Sequence, residues 1–420
     1  MQTRDSTDLR ASWPLLVAGF SILFVVVGGG VDTVSVFLHA LAQREGWPHA
    51  TLSAGIGVGV VSAGLATPLA GILVDRFGVR VPIALGAAVL AGGFAILVAM
   101  RAPWHFVAAN VVLGPGFALA AMLPITIAVT VRIPERTALA LGLVGVGSSV
   151  GALLLAPAIQ ALVDAFGWRS AYLALGAAVT ATPLAMLPLL PRGRLRRAAA
   201  GEGVPATPVP IGRELRRPGV LTLFGVLFLP GVVNFGLQVH VVPYLTHAGH
   251  VATLAAAALG AAIGMSAVGK VVGGLLGDRI GAVATLRLAL CLDLLAIALL
   301  PFVASTPALG AFVVCHGLAI GAEVAVVPVI ALAILGAPRF ATLYGILQLG
   351  STLAIGIAPV VPGLIFDRTG SYGGALVFWM IAMLAGVAVS LALRVPAPGE
   401  PAIAPTLACA EEAPVGPGAA

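Results

Sequence analysis

Apolar residues run along this chain in blocks of about twenty, separated by short polar or Gly/Pro-containing stretches, and about twenty residues is the length that crosses a hydrocarbon core. Twelve such spans are predicted, at 14–40, 50–74, 81–101, 104–131, 137–163, 168–190, 218–245, 252–277, 283–304, 308–335, 340–366 and 372–394. The largest interruption, "PRGRLRRAAAGEGVPATPVPIGRELRRPG", separates the sixth from the seventh and reads as a basic linker. The pattern therefore predicts an all-α membrane protein with a six-helix half at 1–190, a cytoplasmic linker at 191–217, a second half at 218–394 and a disordered cytoplasmic tail at 395–420, rich in Pro and Ala.

Composition supports the same class. Charged residues make up 9% of the chain, hydrophobic residues 60%, and the mean hydropathy is +1.10. A soluble domain carries about 25% charged residues, so the outer surface here must face lipid. The net charge of +6 calls for no nucleic acid, since membrane topology accounts for it. With the amino terminus inside, seventeen arginines fall on the cytoplasmic side, seven of them in the linker, against four outside (Arg44, Arg101, Arg169, Arg368). This distribution fits the positive-inside rule with both termini cytoplasmic, in a multi-pass protein of the cell (inner) membrane. The leader Met1 to Ser12 has no small-residue cleavage site after it, so no cleavable signal is expected. Cys291, Cys315 and Cys409 show neither paired nor metal-ligand spacing.

The halves repeat at one offset, 203 residues. "GILVDRFG" from Gly71 matches "GLLGDRIG" from Gly274, "LGLVGVGSS" from Leu141 matches "YGILQLGST" from Tyr344, and "DAFG" from Asp164 matches "DRTG" from Asp367. Parallel six-helix repeats are a transporter architecture, with the site at the interface of the halves near mid-membrane.

"GILVDRFGVR" resembles the cytoplasmic loop motif of the major facilitator superfamily, and its weaker copy stands between spans 8 and 9. "EGWPHATLS", "RTALALGLVGVGSSVG", "GWRSAY", "HVVPYLTHAG" and "ATLYGILQLGSTLAIGIAPVVPGLIFDRTGSY" resemble the monocarboxylate-transporter branch, which includes oxalate/formate-antiporter-like bacterial members. The resemblance implies the superfamily fold and transport by alternating access. It also implies a gating role for Asp75, Arg76, Arg80, Asp278 and Arg279, the alternative being charges that only set topology. Spans 1, 4, 7 and 10 line the cavity in that superfamily, flanked by 2, 5, 8 and 11.

Ionisable groups inside spans are costly and are functional candidates by default. They are Asp32, His240, Lys270, Asp293, His316 and Glu323, with Asp293 on an outer span, where it can reach the interface or pair with Arg287. Asn234 and Gln238 share a face of span 7; Tyr344, Gln348 and Ser351 share one on span 11; Asp32, Ser35 and His39 one on span 1. Such stripes suggest a wet cavity, or interhelical bonding that only holds the bundle together.

Lys270 is the single lysine among 22 lysines and arginines. It stands eight residues before Asp278, roughly 12 Å inside the cytoplasmic end of span 8. It can bind substrate, pair with Glu323 or Asp32, or reach toward water. The resembled branch places an arginine here as its anion-binding cation. Animal members add an aspartate one turn earlier, where this chain has Ser266, and the oxalate antiporter adds a lysine in span 11, where this chain has Tyr344 and Gln348. The expectation is a secondary transporter for a lactate- or pyruvate-like monoanion with possible proton coupling. Lys270, Asn234, Gln238, Tyr344, Gln348 and Asn110 would bind substrate, and Asp32, Glu323 and His240 would handle protons. Efflux of a lipophilic or cationic compound, or oxalate/formate-type exchange, are the alternatives. Absence of HExxH, GxSxG or paired-Cys patterns argues against an enzyme, and no cofactor or metal is expected. The protein is expected to function as a monomer in the lipid bilayer, with a small organic anion and protons as partners.

Overall fold

The computed structural model describes residues 12–193, 211–336 and 340–395. Most of the linker at 191–217 and nearly all of the tail expected at 395–420 lie outside the described residues. The described chain holds ten helices long and apolar enough to cross a membrane. One of them, Thr137–Leu189, makes two passes, because Gly167 interrupts it with φ 80°. With the broken first span this makes twelve passes. Leu65, Leu153, Leu173 and Ile381 are exposed on the outer surface, as lipid contact requires.

The breaks follow from local sequence. Span 1 consists of helix Trp13–Ile22, π-helical turns Leu23–Gly29 and helix Val34–Glu45. Its break falls on the triplet Gly28–Gly29–Gly30, where a side chain at Gly28 would run into the backbone of Gly151 on span 5. The Thr33 hydroxyl closes the break by donating to the Gly29 carbonyl. Span 4 divides at Ala121 into Pro103–Ala120 and Met122–Arg132. Pro124 offers no N–H there and crowds the carbonyl four residues back. Span 11 divides likewise into Phe340–Ile357 and Val360–Thr369, around Pro359.

The 203-residue repeat reappears as matched geometry. Gly78 and Gly281 each end a span with positive φ, 80° and 94°. At the face carrying these loops, each half reaches into the other. Asp75, ending span 2, accepts from the Thr342 amide at 2.9 Å and the Thr342 hydroxyl at 2.6 Å. Asp278, ending span 8, accepts from the amides of Ala138 and Leu139, both at 3.1 Å. Thr342 and Leu139 are themselves 203 apart. Each carboxylate thus occupies the amino end of a helix in the opposite half, where amides lack intrahelical partners and the helix dipole favours negative charge.

Glycines let the backbones meet above these contacts. A Cβ on Gly274 would stand 2.6 Å from the Ala138 carbonyl, and one on Gly345 2.8 Å from that of Thr67. Gly71 faces the Ala341 carbonyl and Gly142 that of Lys270 in the same way. Spans 2 and 11, and spans 5 and 8, are therefore held together from the loop face to about mid-depth. Toward the other face, Asp32 and Gln238 are exposed.

Arg80 does a different job from the one expected. Its guanidinium donates to the carbonyls of Pro188 at 2.9 Å and Leu190 at 3.0 Å, at the end of span 6 in its own half. Arg287 does the same in the second half, donating to Ser390 at 3.1 Å and Leu393 at 3.3 Å. Both place a cation on carbonyls left open at a helix end. This contact joins helices within one half, so Arg80 does not bridge the halves. Arg76 lies over the Phe77 ring at 5.2 Å, and Arg279 is exposed.

Two predictions separate the roles. With the native cysteines replaced by serine and a single Cys placed at Leu139, Gly142→Leu should raise maleimide labelling roughly fivefold or more by wedging spans 5 and 8 apart. Unchanged labelling would mean that the glycine contact does not hold the closed face. Asp278→Ala should also raise labelling, since losing a helix-end acceptor costs about 1 kcal/mol. Arg80→Ala should instead lower the melting temperature and leave labelling as it was.

Candidate functional site

Lys270 lies on span 8 with its backbone against Gly142 of span 5 and against Gly321 of span 10. From there the side chain runs along span 5 away from the loop face. Its ammonium donates to the Gly145 carbonyl at 2.9 Å, the Ser148 hydroxyl at 3.0 Å and the Ser149 hydroxyl at 2.8 Å. Relative to Gly142 this is one to two helical turns, about 5–10 Å, farther from that face. Ser149 also lies 3.3 Å from Ser266, whose hydroxyl donates to Ile263. The residue is 6% exposed, so the ammonium is buried inside the bundle.

All three ammonium donors are occupied, and all three acceptors are neutral. Hydrogen bonding is satisfied while the charge is not. Among the described residues no carboxylate forms an ion pair with Lys270 within 4.0 Å. The acid that acts on it electrostatically is Asp32, from the glycine break of span 1. That break packs on span 5 at Ser148 and Gly151, the same stretch that holds the ammonium. A lysine at the centre of a membrane helix costs about 3 kcal/mol; the three hydrogen bonds replace its lost water, and no counter-ion beside it balances its charge. The arrangement can take one anion.

Glu323 is not the partner of Lys270. It accepts from the Asn234 amide of span 7 at 3.2 Å, leaving Glu323 Oε1 and Asn234 Oδ1 buried without partners. Gln348 Oε1 on span 11 is unpartnered as well. Gln238 is exposed one turn from Asn234. Tyr344 is buried, its ring stacked on Phe340 at 5.4 Å.

Two expected site residues are engaged elsewhere. His240 donates to the Pro359 carbonyl at the break of span 11, at 2.9 Å, and packs near Tyr372 and Trp379. Asn110 bonds back to Phe106 of its own helix at 2.9 Å. It lines a small cavity within the first half, among Phe37, Phe94, Phe117 and Tyr172 and apart from Lys270. Asp293 pairs with His316 at 2.7 Å, while Arg287 is turned to the end of span 12, so the Asp293–Arg287 pairing is corrected.

Sequence reasoning missed the span 5 side of the site, Gly145, Ser148 and Ser149. A signal existed: "LGLVGVGSS" is one of the repeated segments, and its "GSS" lies where a Lys270 side chain pointing toward its helix amino end would reach.

The comparisons agree with this architecture. Monocarboxylate transporter 11 of Mus musculus is 26% identical over 404 residues, spanning 91% of this chain and 87% of that protein. Monocarboxylate transporter 12 of the same organism is 28% identical over 357 residues, 76% of this chain and 72% of that protein. The E. coli fucose:proton symporter FucP superposes with a TM-score of 0.69 at 16% identity, covering 92% of this chain and 99% of that one. The human organic anion transporter MFSD10 gives 0.66 at 17% identity, covering 93% and 100%. At such identities the solved structures speak to the fold. The sequence model described as Major Facilitator Superfamily matches residues 20–292, most of the chain. A multi-pass membrane protein with this repeat, these breaks and this match is a transporter and not an enzyme: the chain belongs to the Major Facilitator Superfamily.

Proposed function

We propose that the protein moves a small organic monocarboxylate, lactate- or pyruvate-like, across the cell membrane by alternating access. The observation that carries this is the buried Lys270 ammonium, satisfied by neutral acceptors and, among the described residues, without a carboxylate in ion-pair contact. The names of the two mouse relatives support the substrate class. The arginine distribution supports an orientation with both termini and the loop motifs in the cytosol. The closed face is then cytoplasmic, and the site opens outward past Asp32 and Gln238.

In this reading the substrate carboxylate displaces the hydroxyls of Ser148 and Ser149 from Lys270. One ammonium balances one negative charge, whereas a dicarboxylate would bring an excess charge into a poorly solvated site. Asp32 competes with the substrate for Lys270, because it is the acid whose charge the ammonium feels. Protonation of Asp32 removes that competitor, so substrate binding is tighter when Asp32 carries a proton. The sign follows: lowering pH through the range where Asp32 titrates strengthens binding. Asn234, Gln238 and Gln348 supply neutral hydrogen-bonding groups on the side of the second half.

In proteoliposomes, Lys270→Gln should abolish uptake of labelled lactate, while Lys270→Arg retains a measurable part of it. Removing a hydrogen-bonded charge partner costs about 2–5 kcal/mol, a loss of at least roughly thirtyfold in affinity. Asp32→Asn should bind lactate with an affinity that no longer weakens as pH rises. Normal uptake by Lys270→Gln would overturn the assignment, as would oxalate being carried in preference to lactate.

A further inference from the structure

The first half encloses a cavity that the Lys270 site does not use. Spans 1, 3, 4 and 6 surround it, with Phe37, Phe94, Phe117 and Tyr172 as aromatic walls and Asn110 beside them. All of the lining residues are uncharged, and the volume is about 30 Å³. A water molecule needs roughly 10–15 Å³ of such space, whereas a benzene-sized guest has been held in a cavity of roughly 150 Å³. Size therefore admits about two waters and rejects an aromatic or lipid-like guest.

A wholly apolar cavity stays dry, so the polar groups on the wall are decisive. Tyr172 is 3% exposed, and its hydroxyl is buried without a hydrogen-bond partner in the protein. The ring is clamped: Phe37 stacks on it with centres 3.7 Å apart and planes 10° apart, and Phe94 meets it edge-on at 6.4 Å. Because the phenol oxygen lies on the ring axis, turning the ring would not carry it to another acceptor. An unsatisfied buried hydroxyl is costly, and an internal water removes that cost. Asn110 donates one amide hydrogen to the Phe106 carbonyl at 2.9 Å and retains a second N–H and its own oxygen. Gly30 adds a carbonyl from the break of span 1, where the Val34 amide donates to Val31 at 3.4 Å, three residues back, and not to Gly30. Together the three supply the two to four polar partners that a buried water requires.

The cavity also lies behind the break itself. On one side the break is pressed on span 5, since a Cβ on Gly28 would stand 2.6 Å from the Gly151 backbone. On the other side Gly30 and Val34 line the cavity. These two, with Asn110 and Phe117, are half-buried while the rest of the wall is buried, so water enters between spans 1 and 4. We infer that this cavity is an internal water site, about two molecules joining Tyr172, Asn110 and Gly30, and that it leaves the break of span 1 free to change its bend during transport. Side chains filling the same space would have to be pushed aside for span 1 to bend, whereas water leaves and returns. Asp32 stands between Gly30 and Val34, so the bend carries the acid whose charge the Lys270 ammonium feels. The role in bending rests on the transport reading; the water site does not.

X-ray radiolysis of the full-length protein in nanodiscs oxidises side chains that adjoin water, including internal water. Phe37 should be oxidised severalfold faster than Phe312, which is equally buried at 1% exposure and stands outside the cavity. Val34→Ile adds one methyl group to the span 1 wall and should remove most of the Phe37 and Tyr172 labelling. Equal rates for Phe37 and Phe312, or labelling unaffected by Val34→Ile, overturn the water site. Tyr172→Phe should lower the melting temperature, because the hydroxyl is bonded to water; a rise would mean that it is unsatisfied in a dry cavity, and would also overturn the site. In proteoliposomes, Val34→Ile should bind lactate as tightly as wild type and lower the turnover of uptake severalfold. Unchanged turnover with the labelling lost overturns the role in bending. If the wild-type protein carries no monocarboxylate, the transport reading fails and radiolysis still decides the water site.

Discussion

A carboxylate laid on the amino end of a helix in the opposite half is the contact on which the described state depends. Asp75 and Asp278 make it twice, at the same face and 203 residues apart. Each acid meets amides that the helix leaves open, with the dipole adding to the attraction. Because the glycines behind allow backbone contact, closure extends from the loops to the level of Lys270. The ammonium is thus sealed from the loop face.

That arrangement places opposing tasks on adjacent turns. Between Gly274 and Lys270, span 8 stays in backbone contact with span 5, at Ala138 and at Gly142, and one turn farther on it buries an ammonium against the same helix. Ser148 and Ser149 occupy the changeover. They are small enough for close packing, and they supply the hydroxyls that keep an ammonium satisfied in the absence of an anion. The first-half counterpart of Lys270, Thr67, needs no such provision, for its hydroxyl is spent on Ala63 of its own helix. The two halves share a scaffold, and the buried ammonium stands on one of them only.

Much of this was legible in the sequence, because it depends on periodicity along one chain. The twelve passes and the offset of 203 follow from counting residues. The breaks at Gly28–Gly30 and Pro359 coincide with residues known to interrupt helices. What escaped was lateral: which helix face meets which. Asp293 could have met Arg287 one and a half turns away on its own helix, and only packing shows that span 12 claims the arginine and span 10 the acid. Glu323 and Lys270 looked like partners by charge, yet Asn234 and span 5 lie nearer to them. Arg80 belonged to a motif that suggested gating, and its targets are carbonyls of span 6, a residue type that side-chain patterns do not reveal.

Holding the halves together through main-chain amides also has an evolutionary corollary. A salt bridge constrains two side chains, and a change in either must be answered by the other. Here the recipient is peptide backbone, which every residue except proline provides. Position 342 is a threonine and its counterpart 139 a leucine, and both serve. The amide is offered by either side chain, so the duplicated halves can differ in sequence at this position, the Thr342 hydroxyl adding a second donor in one copy.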